Sequence, residues 1–294
     1  MAVDLDGVVW RGDEPLPGVP EALREVVRRG LALCYVTNNS TAHREAVVKR
    51  LLGLGLPAEP ERVLTSGFVA ARWLKERLAP GSVVMVVGEE GLLRELREAG
   101  LDAQHVSAWS AEQAAISEEG SVSGFNTPPD AVVVGMDRSF SYASLAAAQR
   151  ALLGGALFVA TNPDATFPTP AGLKPGAGSL VAAVATAAQR EPVFMGKPGP
   201  ALAEILASVT RIPAAQTLFV GDRLETDIAM GRQVGMVTAL VLTGVTSRED
   251  LERARRGAGA PETKPTALRP VMPDYVLKDL SELPSLLDEL TSES

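Results

Sequence analysis

Val19-Pro20-Glu21-Ala22-Leu23-Arg24-Glu25-Val26-Val27-Arg28-Arg29-Gly30-Leu31-Ala32-Leu33-Cys34-Tyr35-Val36-Thr37-Asn38-Asn39-Ser40 carries two periodicities in one run, and the change between them decides the fold class. Val19, Leu23, Val26 and Val27 recur at i, i+4, i+7 and i+8, the apolar stripe of an amphipathic helix stopped by Gly30. Leu31 to Val36 is then an apolar run of strand length that ends in a polar group, Thr37 to Ser40. Similar strands are expected at Val83 to Val87, Ala131 to Val134, Leu157 to Ala160, Val193 to Met195, Leu218 to Val220, Val237 to Leu242 and Tyr275 to Leu277. Helical patterns lie between most of them, as in Arg44 to Leu54, Gly91 to Ala99, Tyr142 to Leu153, Leu180 to Gln189, Ala201 to Val209 and Thr226 to Val234. Strands alternating with helices predict an α/β chain of mostly parallel sheets covered by helices.

The chain has 294 residues, enough for two domains at the usual ~100–200 residues each. With 46% hydrophobic and 22% charged residues, neither disorder nor a fibrous repeat is expected. Lys and Arg total 28 against 36 Asp and Glu, a net charge of −8, so nothing global attracts nucleic acid or an anionic membrane. No apolar run approaches the ~18 residues of a membrane span. Met1-Ala2-Val3-Asp4 lacks a basic segment followed by an apolar one, which makes the cytoplasm the expected location. The single cysteine, Cys34, excludes an intrachain disulfide and reads as a core residue. Arg255 to Pro273, rich in Gly, Pro, Ala and Arg, reads as a surface excursion.

In parallel α/β sheets, ligands bind outside the carboxyl ends of the strands. Four polar clusters stand at such ends: Asp4-Leu5-Asp6-Gly7, Thr37-Asn38-Asn39-Ser40, Gly196-Lys197-Pro198, and Gly221-Asp222-Arg223 with Asp227 soon after. Each alone fits a helix cap or a surface turn as readily as a ligand. Strand alternation puts Asp4 and Asp6 on one side, and Gly7 permits a sharp exit and close backbone approach. One carboxylate is then placed to attack while the other handles protons. Asp222 and Asp227 add negative charge, and like charges ~4 Å apart near a surface repel by roughly 4 kcal/mol per pair, so the cluster calls for a cation. Oxygen ligands favour Mg²⁺ over zinc, and two isolated histidines, His43 and His105, build no zinc site. Lys197, the Thr37 hydroxyl and backbone N–H groups near Asn38 and Asn39 supply the donors that a phosphoryl group requires.

At these residues the chain resembles the haloacid dehalogenase superfamily of phosphatases. Asp4-Leu5-Asp6-Gly7-Val8 looks like its first motif, Thr37-Asn38-Asn39 its second, Gly196-Lys197-Pro198 its third and Gly221 to Asp227 its fourth, in that order. Thr161-Asn162-Pro163-Asp164, followed by Pro175-Gly176-Ala177-Gly178-Ser179-Leu180, is similar to the subfamily with a large α/β cap of the C2 type. Its members include NagD-type, 4-nitrophenyl phosphate, phosphoglycolate and pyridoxal phosphate phosphatases. The resemblance implies a Rossmann-like, doubly wound parallel core, residues 1–79 and 191–294, with an inserted smaller α/β cap at 80–190. It implies hydrolysis of a small-molecule phosphate ester through an aspartyl-phosphate on Asp4, with Asp6 protonating the leaving oxygen and then activating water. Mg²⁺ would be held by Asp4, the Asp6 backbone carbonyl and Asp222, with Asp227 one step further out. Thr37, Asn38, Asn39 and Lys197 would grip the phosphoryl group. A homodimer through the cap is a further expectation.

Two departures stand out: only three residues precede Asp4, so the first strand looks clipped, either because it is short here or because the natural start lies upstream of this chain, and Gly257 to Met272 is longer than the family's usual connection. Two other classes compete. A phosphoacceptor module of the receiver type also gathers acids, a Thr and a Lys around Mg²⁺, but needs only ~120 residues and no second acid two residues beyond its acceptor. A nucleotide-binding oxidoreductase fails because Gly176-Ala177-Gly178 follows a Pro-rich loop rather than a strand. For the leaving group, Met136, Asp137, Asn162, Asp164 and Phe167 are candidate lining residues, with turn formation and packing as their competing role; Phe167 is placed in the Pro-rich loop.

Overall fold

A computed structural model describes residues 1–109, 128–169, 172–256 and 271–292. Most of the Arg255 to Pro273 segment therefore lies outside the described residues. In chain order the first strands and helices are β1 (Ala2–Asp4), β2 (Trp10–Arg11), β3 (Glu14–Pro15), α1 (Val19–Arg28), β4 (Cys34–Thr37), α2 (Arg44–Gly53), β5 (Val63–Thr65) and α3 (Ser66–Lys75). Then come β6 (Val83–Val87), α4 (Glu90–Glu98), β7 (Asp102–His105), β8 (Ala131–Val134), α5 (Tyr142–Leu153), β9 (Leu157–Ala160), β10 (Thr166–Thr169), β11 (Gly172–Pro175), α6 (Ala177–Ala188) and β12 (Val193–Phe194). The chain continues with α7 (Pro200–Thr210), β13 (Leu218–Gly221), α8 (Ala229–Gln233), β14 (Val237–Val241), α9 (Arg248–Arg255), β15 (Tyr275–Leu277) and α10 (Leu283–Ser292). Two compact units result: Met1–Thr37 with Glu45–Leu64 and Ala203–Ser294, and Asn38–Arg44 with Thr65–Leu202.

The first unit is built on a six-stranded sheet in the order β15-β14-β13-β1-β4-β5, with β1, β4, β13, β14 and β15 paired in parallel. β1 is the reversal point of this order, with later strands added first on its β4 side and then on its β13 side. Crevices at such points are where open α/β sheets bind ligands. Val3, Tyr35, Val36, Phe219, Val220 and Leu240 are fully buried, as expected for strands covered on both faces. β1 is three residues long, and all three are buried. Ala2, Val3 and Asp4 pair with Cys34, Tyr35 and Val36; β4 begins at Cys34 rather than at Leu31 and takes in Thr37. Cys34 is buried in this strand, and desolvation pushes its thiol pKa up, which suits a core residue and not a nucleophile.

The second unit carries a five-stranded sheet, β12-β9-β8-β6-β7, paired in parallel throughout. Met85, Val87, Val132, Val134, Phe158 and Ala160 pack against Ala147, Ala148 and Ala151 of α5 and Val181, Val184 and Ala188 of α6. The small side chains let both helices lie close to the sheet. α3, which the apolar periodicity did not signal, is capped by Thr65, whose side chain accepts from the Phe68 N–H at 3.0 Å. Phe167 is not in a loop. It lies on β10, paired antiparallel with β11 so that Phe167 faces Lys174, and Pro168 and Pro175 are tolerated because a two-stranded ribbon is all edge. α6 begins three residues earlier than expected, at Ala177, because Gly178 has no Cβ to collide with the Pro163 carbonyl. No helix among the described residues is long and apolar enough to cross a membrane.

Candidate active site

In the first unit, the register places Val3 beside Val220, so Asp4 ends β1 next to the point where β13 ends and Asp222 begins the following loop. Asp4, Asp222 and Asp227 are all buried, and each offers a carboxylate oxygen within 4.8 Å of the others. Three buried carboxylates this close need a cation, and an all-oxygen donor set suits a hard divalent ion such as Mg²⁺. Asp227 is positioned by a wide turn rather than the expected helix start: Ile228 N–H bonds to the Arg223 carbonyl five residues back, and α8 begins only at Ala229. One oxygen of Asp227 accepts from the N–H groups of Asp222 and Arg223, at 3.1 and 3.0 Å, which fixes the loop that carries Asp222.

The loop after β14 closes on the same carboxylates. Val245 N–H donates to Asp222 Oδ2 at 2.6 Å, Thr246 N–H to the Asp222 carbonyl at 3.1 Å, and Thr243 Oγ1 to the Gly7 carbonyl at 2.6 Å. Sequence reasoning missed this loop; its signal is the glycine in Thr243-Gly244-Val245, just beyond a strand end. A Cβ on Gly244 would overlap Asp222 Oδ2, and one on Gly7, whose φ is 85°, would lie 2.7 Å from the same oxygen. Gly244→Ala should therefore destabilise the protein by about 1–3 kcal/mol, the usual cost of overpacking, as read by urea unfolding. Unchanged stability would mean that the Asp222 loop is looser than these contacts imply.

Asp6 stands apart from this cluster. Its side chain is exposed, and its Oδ1 accepts from the Trp10 indole N–H at 2.9 Å.

In the second unit, Asn38 is the hub of a polar network. Its Oδ1 accepts from the Lys197 N–H at 2.8 Å, and its Nδ2 donates to the Lys197 carbonyl at 3.0 Å and to Asp164 Oδ2 at 2.9 Å. The side-chain amide thus copies the pairing of a neighbouring strand and holds both peptide groups of Lys197, whose own side chain is buried. The Asn38 carbonyl accepts from Asn162 Nδ2 at 2.8 Å and Ser66 Oγ at 2.7 Å. Gly196 is required here, because a Cβ would run into the Asn38 amide. Asn39 Oδ1 accepts from the N–H and hydroxyl of Thr41, closing a turn. Thr37, the last residue of β4, is buried in the first unit.

Neither histidine is isolated. His43 Nε2 lies 3.5 Å from Glu95 and 3.2 Å from Glu98, with the Arg44 guanidinium 3.6 and 3.4 Å from the same two carboxylates. Burial pushes the Glu95 carboxyl pKa up, against the bond from the Arg44 N–H. His105 bridges Asp137 at 3.0 Å and Ser107 at 2.8 Å. Of the candidate lining residues, Asp137, Asn162 and Asp164 thus make internal polar contacts.

Profiles described as haloacid dehalogenase-like hydrolase match residues 1–102 and 58–235, and a HAD-hydrolase-like profile matches 194–283. The glycerol-3-phosphate phosphatase of Gallus gallus is 40% identical over 297 aligned residues, spanning 98% of this chain and 92% of its own. Among solved structures, the p-nitrophenyl phosphatase from Archaeoglobus fulgidus has a TM-score of 0.82 at 30% identity, covering 97% of both chains. The glycerol phosphate phosphatase from Mycobacterium tuberculosis in complex with magnesium has a TM-score of 0.76 at 36% identity, covering 96% of this chain and 76% of that one.

Proposed function

The chain belongs to the haloacid dehalogenase-like hydrolases and is a phosphoric monoester hydrolase, and from that premise we propose a divalent-metal-dependent phosphatase of small-molecule phosphates that works through an aspartyl-phosphate. The observation that carries this reading is the convergence of Asp4, Asp222 and Asp227 at the reversal of strand order, with Asp6 set apart from them.

In the proposed reaction an Asp4 oxygen bonds to phosphorus as the bond to the ester oxygen breaks, and Asp6 gives that oxygen its proton. Water then gives a proton to Asp6 and bonds to phosphorus, releasing Asp4 and inorganic phosphate. Asp4, Asp222 and the Asp6 carbonyl would hold Mg²⁺, with Asp227 orienting Asp222 through its backbone. Bound there, the ion would offset the carboxylate charge and that of the phosphoryl oxygens.

Thr37 and the Lys197 ammonium are assigned to the phosphoryl oxygens. The Asn38 side chain is assigned to holding the Lys197 peptide, which leaves main-chain N–H groups of Asn38 and Asn39 as its contribution to phosphate binding. Residues 80–190 are assigned the choice of leaving group, through Met136 and Phe167. The names of the relatives favour a small polyol phosphate such as glycerol 3-phosphate as substrate.

The test is release of inorganic phosphate, with Mg²⁺, from glycerol 3-phosphate, phosphoglycolate, sugar phosphates, nucleoside monophosphates, pyridoxal phosphate and 4-nitrophenyl phosphate. Lys197→Met should lower turnover on every ester that is hydrolysed by a similar factor, on the order of 10²–10³, because it removes a donor common to all of them. Stoichiometric phosphorylation without turnover would instead indicate a phosphoacceptor module. Loss of one substrate class only would reject Lys197 as a phosphoryl ligand.

A further inference from the structure

Asp6 follows β1 by two residues and begins a tight turn closed by bonds from the Val9 and Trp10 N–H groups to the Leu5 carbonyl, at 2.8 and 3.1 Å, and from the Gly7 N–H to the Trp10 carbonyl at 2.9 Å. Val8, Val9 and Trp10 are buried by this turn, whereas Asp6 is exposed. The Trp10 ring is covered by Arg50 of α2, whose guanidinium carbon lies 4.0 Å from the ring centroid while its Nη2 donates to the Gly12 carbonyl. An indole has one donor and no acceptor, so Trp10 can make one directional bond, and it makes it to Asp6 Oδ1 at 2.9 Å. An exposed carboxylate, free by its own rotamers to point elsewhere, is thereby tied to a buried ring that packing and a cation hold still.

We propose that Trp10 is a positioning residue for proton transfer: its N–H holds Oδ1 of Asp6 and so presents Oδ2 to the leaving oxygen. This rests on Asp6 being the general acid, as proposed above. The competing account is that Asp6 merely satisfies a buried indole donor. The two accounts differ in what Trp10→Phe does to the choice among leaving groups. Phenylalanine keeps a ring beneath Arg50 and removes the donor along with part of the indole's volume. A misplaced acid matters when the departing oxygen is a poor leaving group that must be protonated, and matters little for 4-nitrophenolate, which departs as an anion.

The experiment measures kcat/KM, which reads the reaction only as far as release of the alcohol, for a series running from 4-nitrophenyl phosphate through phenyl phosphate to glycerol 3-phosphate. Trp10→Phe should lower the glycerol 3-phosphate value by about 10- to 100-fold and the 4-nitrophenyl phosphate value by less than about 3-fold, steepening the dependence on leaving group. The ratio of the two does not depend on how much of the variant is folded. Arg50→Met, which loosens the ring but retains the N–H bond, should shift the ratio in the same direction by much less than Trp10→Phe. A uniform loss across the series in Trp10→Phe, or an equal change of ratio in Arg50→Met, overturns the proposal. Asp6→Asn in the same series separates the two readings. If it leaves the ratio unchanged, the acid assignment itself fails; if it steepens the dependence while Trp10→Phe does not, only the role of Trp10 fails.

Discussion

Asp4→Asn is expected to abolish turnover, by on the order of 10⁴-fold or more, because in the proposed reaction it replaces the attacking oxygen with an amide of nearly the same shape. The position leaves little room for another effect. Asp4 is buried at the end of a strand paired on both sides, so the asparagine should sit where the carboxylate sat. Inorganic phosphate or vanadate should still bind, and should bind as well or better where Mg²⁺ is retained, because one repelling charge within 4.8 Å of two others has gone. Steady-state phosphate release together with vanadate titration checks both halves. Substantial turnover by a preparation free of wild-type enzyme would reject Asp4 as the nucleophile.

Removal of divalent ions should have an effect of the same size. Chelation should bring phosphate release to background, and Mg²⁺ should restore it. Ca²⁺ should bind without restoring activity, because a larger ion with six to eight oxygen ligands and looser geometry spoils the in-line approach of the attacking oxygen. Binding has its own readout: an ion at about 100 times its Kd stabilises the folded state by about 2.7 kcal/mol, visible as a rise in Tm. Asp222→Ala should raise the Mg²⁺ requirement more than Asp227→Ala, since Asp227 spends one oxygen on the N–H groups of Asp222 and Arg223. Full activity after exhaustive chelation would mean that the three carboxylates serve another purpose.

Much of the fold is legible in the sequence by itself. Strand-length apolar runs, the helical stripe of Val19 to Val27, and polar groups at strand ends are local patterns, set by the two periods of backbone geometry. The strands at Val83–Val87, Ala131–Val134 and Tyr275–Leu277 are readable to the residue because each is a short apolar run with polar or glycine neighbours. The pair Asp4 and Asp6 with Gly7 is equally local.

What local pattern could not decide was partnership. Which strand lies beside which follows from the order of the whole sheet, and that order brings Asp222 and Asp227 to Asp4 from the far end of the chain. A polar side chain's role likewise depends on who takes its bonds. Sequence offers Asn38 to a phosphate without saying through which of its groups, and in the fold the side-chain amide is taken up by the Lys197 peptide and Asp164. Gly244 and Trp10 carry no local signal of a role, yet in the fold Gly244 makes room for Asp222 and Trp10 carries a donor to Asp6. Sequence determined which chemical groups this protein owns and which local elements carry them; tertiary structure decided which groups meet, because hydrogen bonds and excluded volume are satisfied between segments that are not neighbours in the chain.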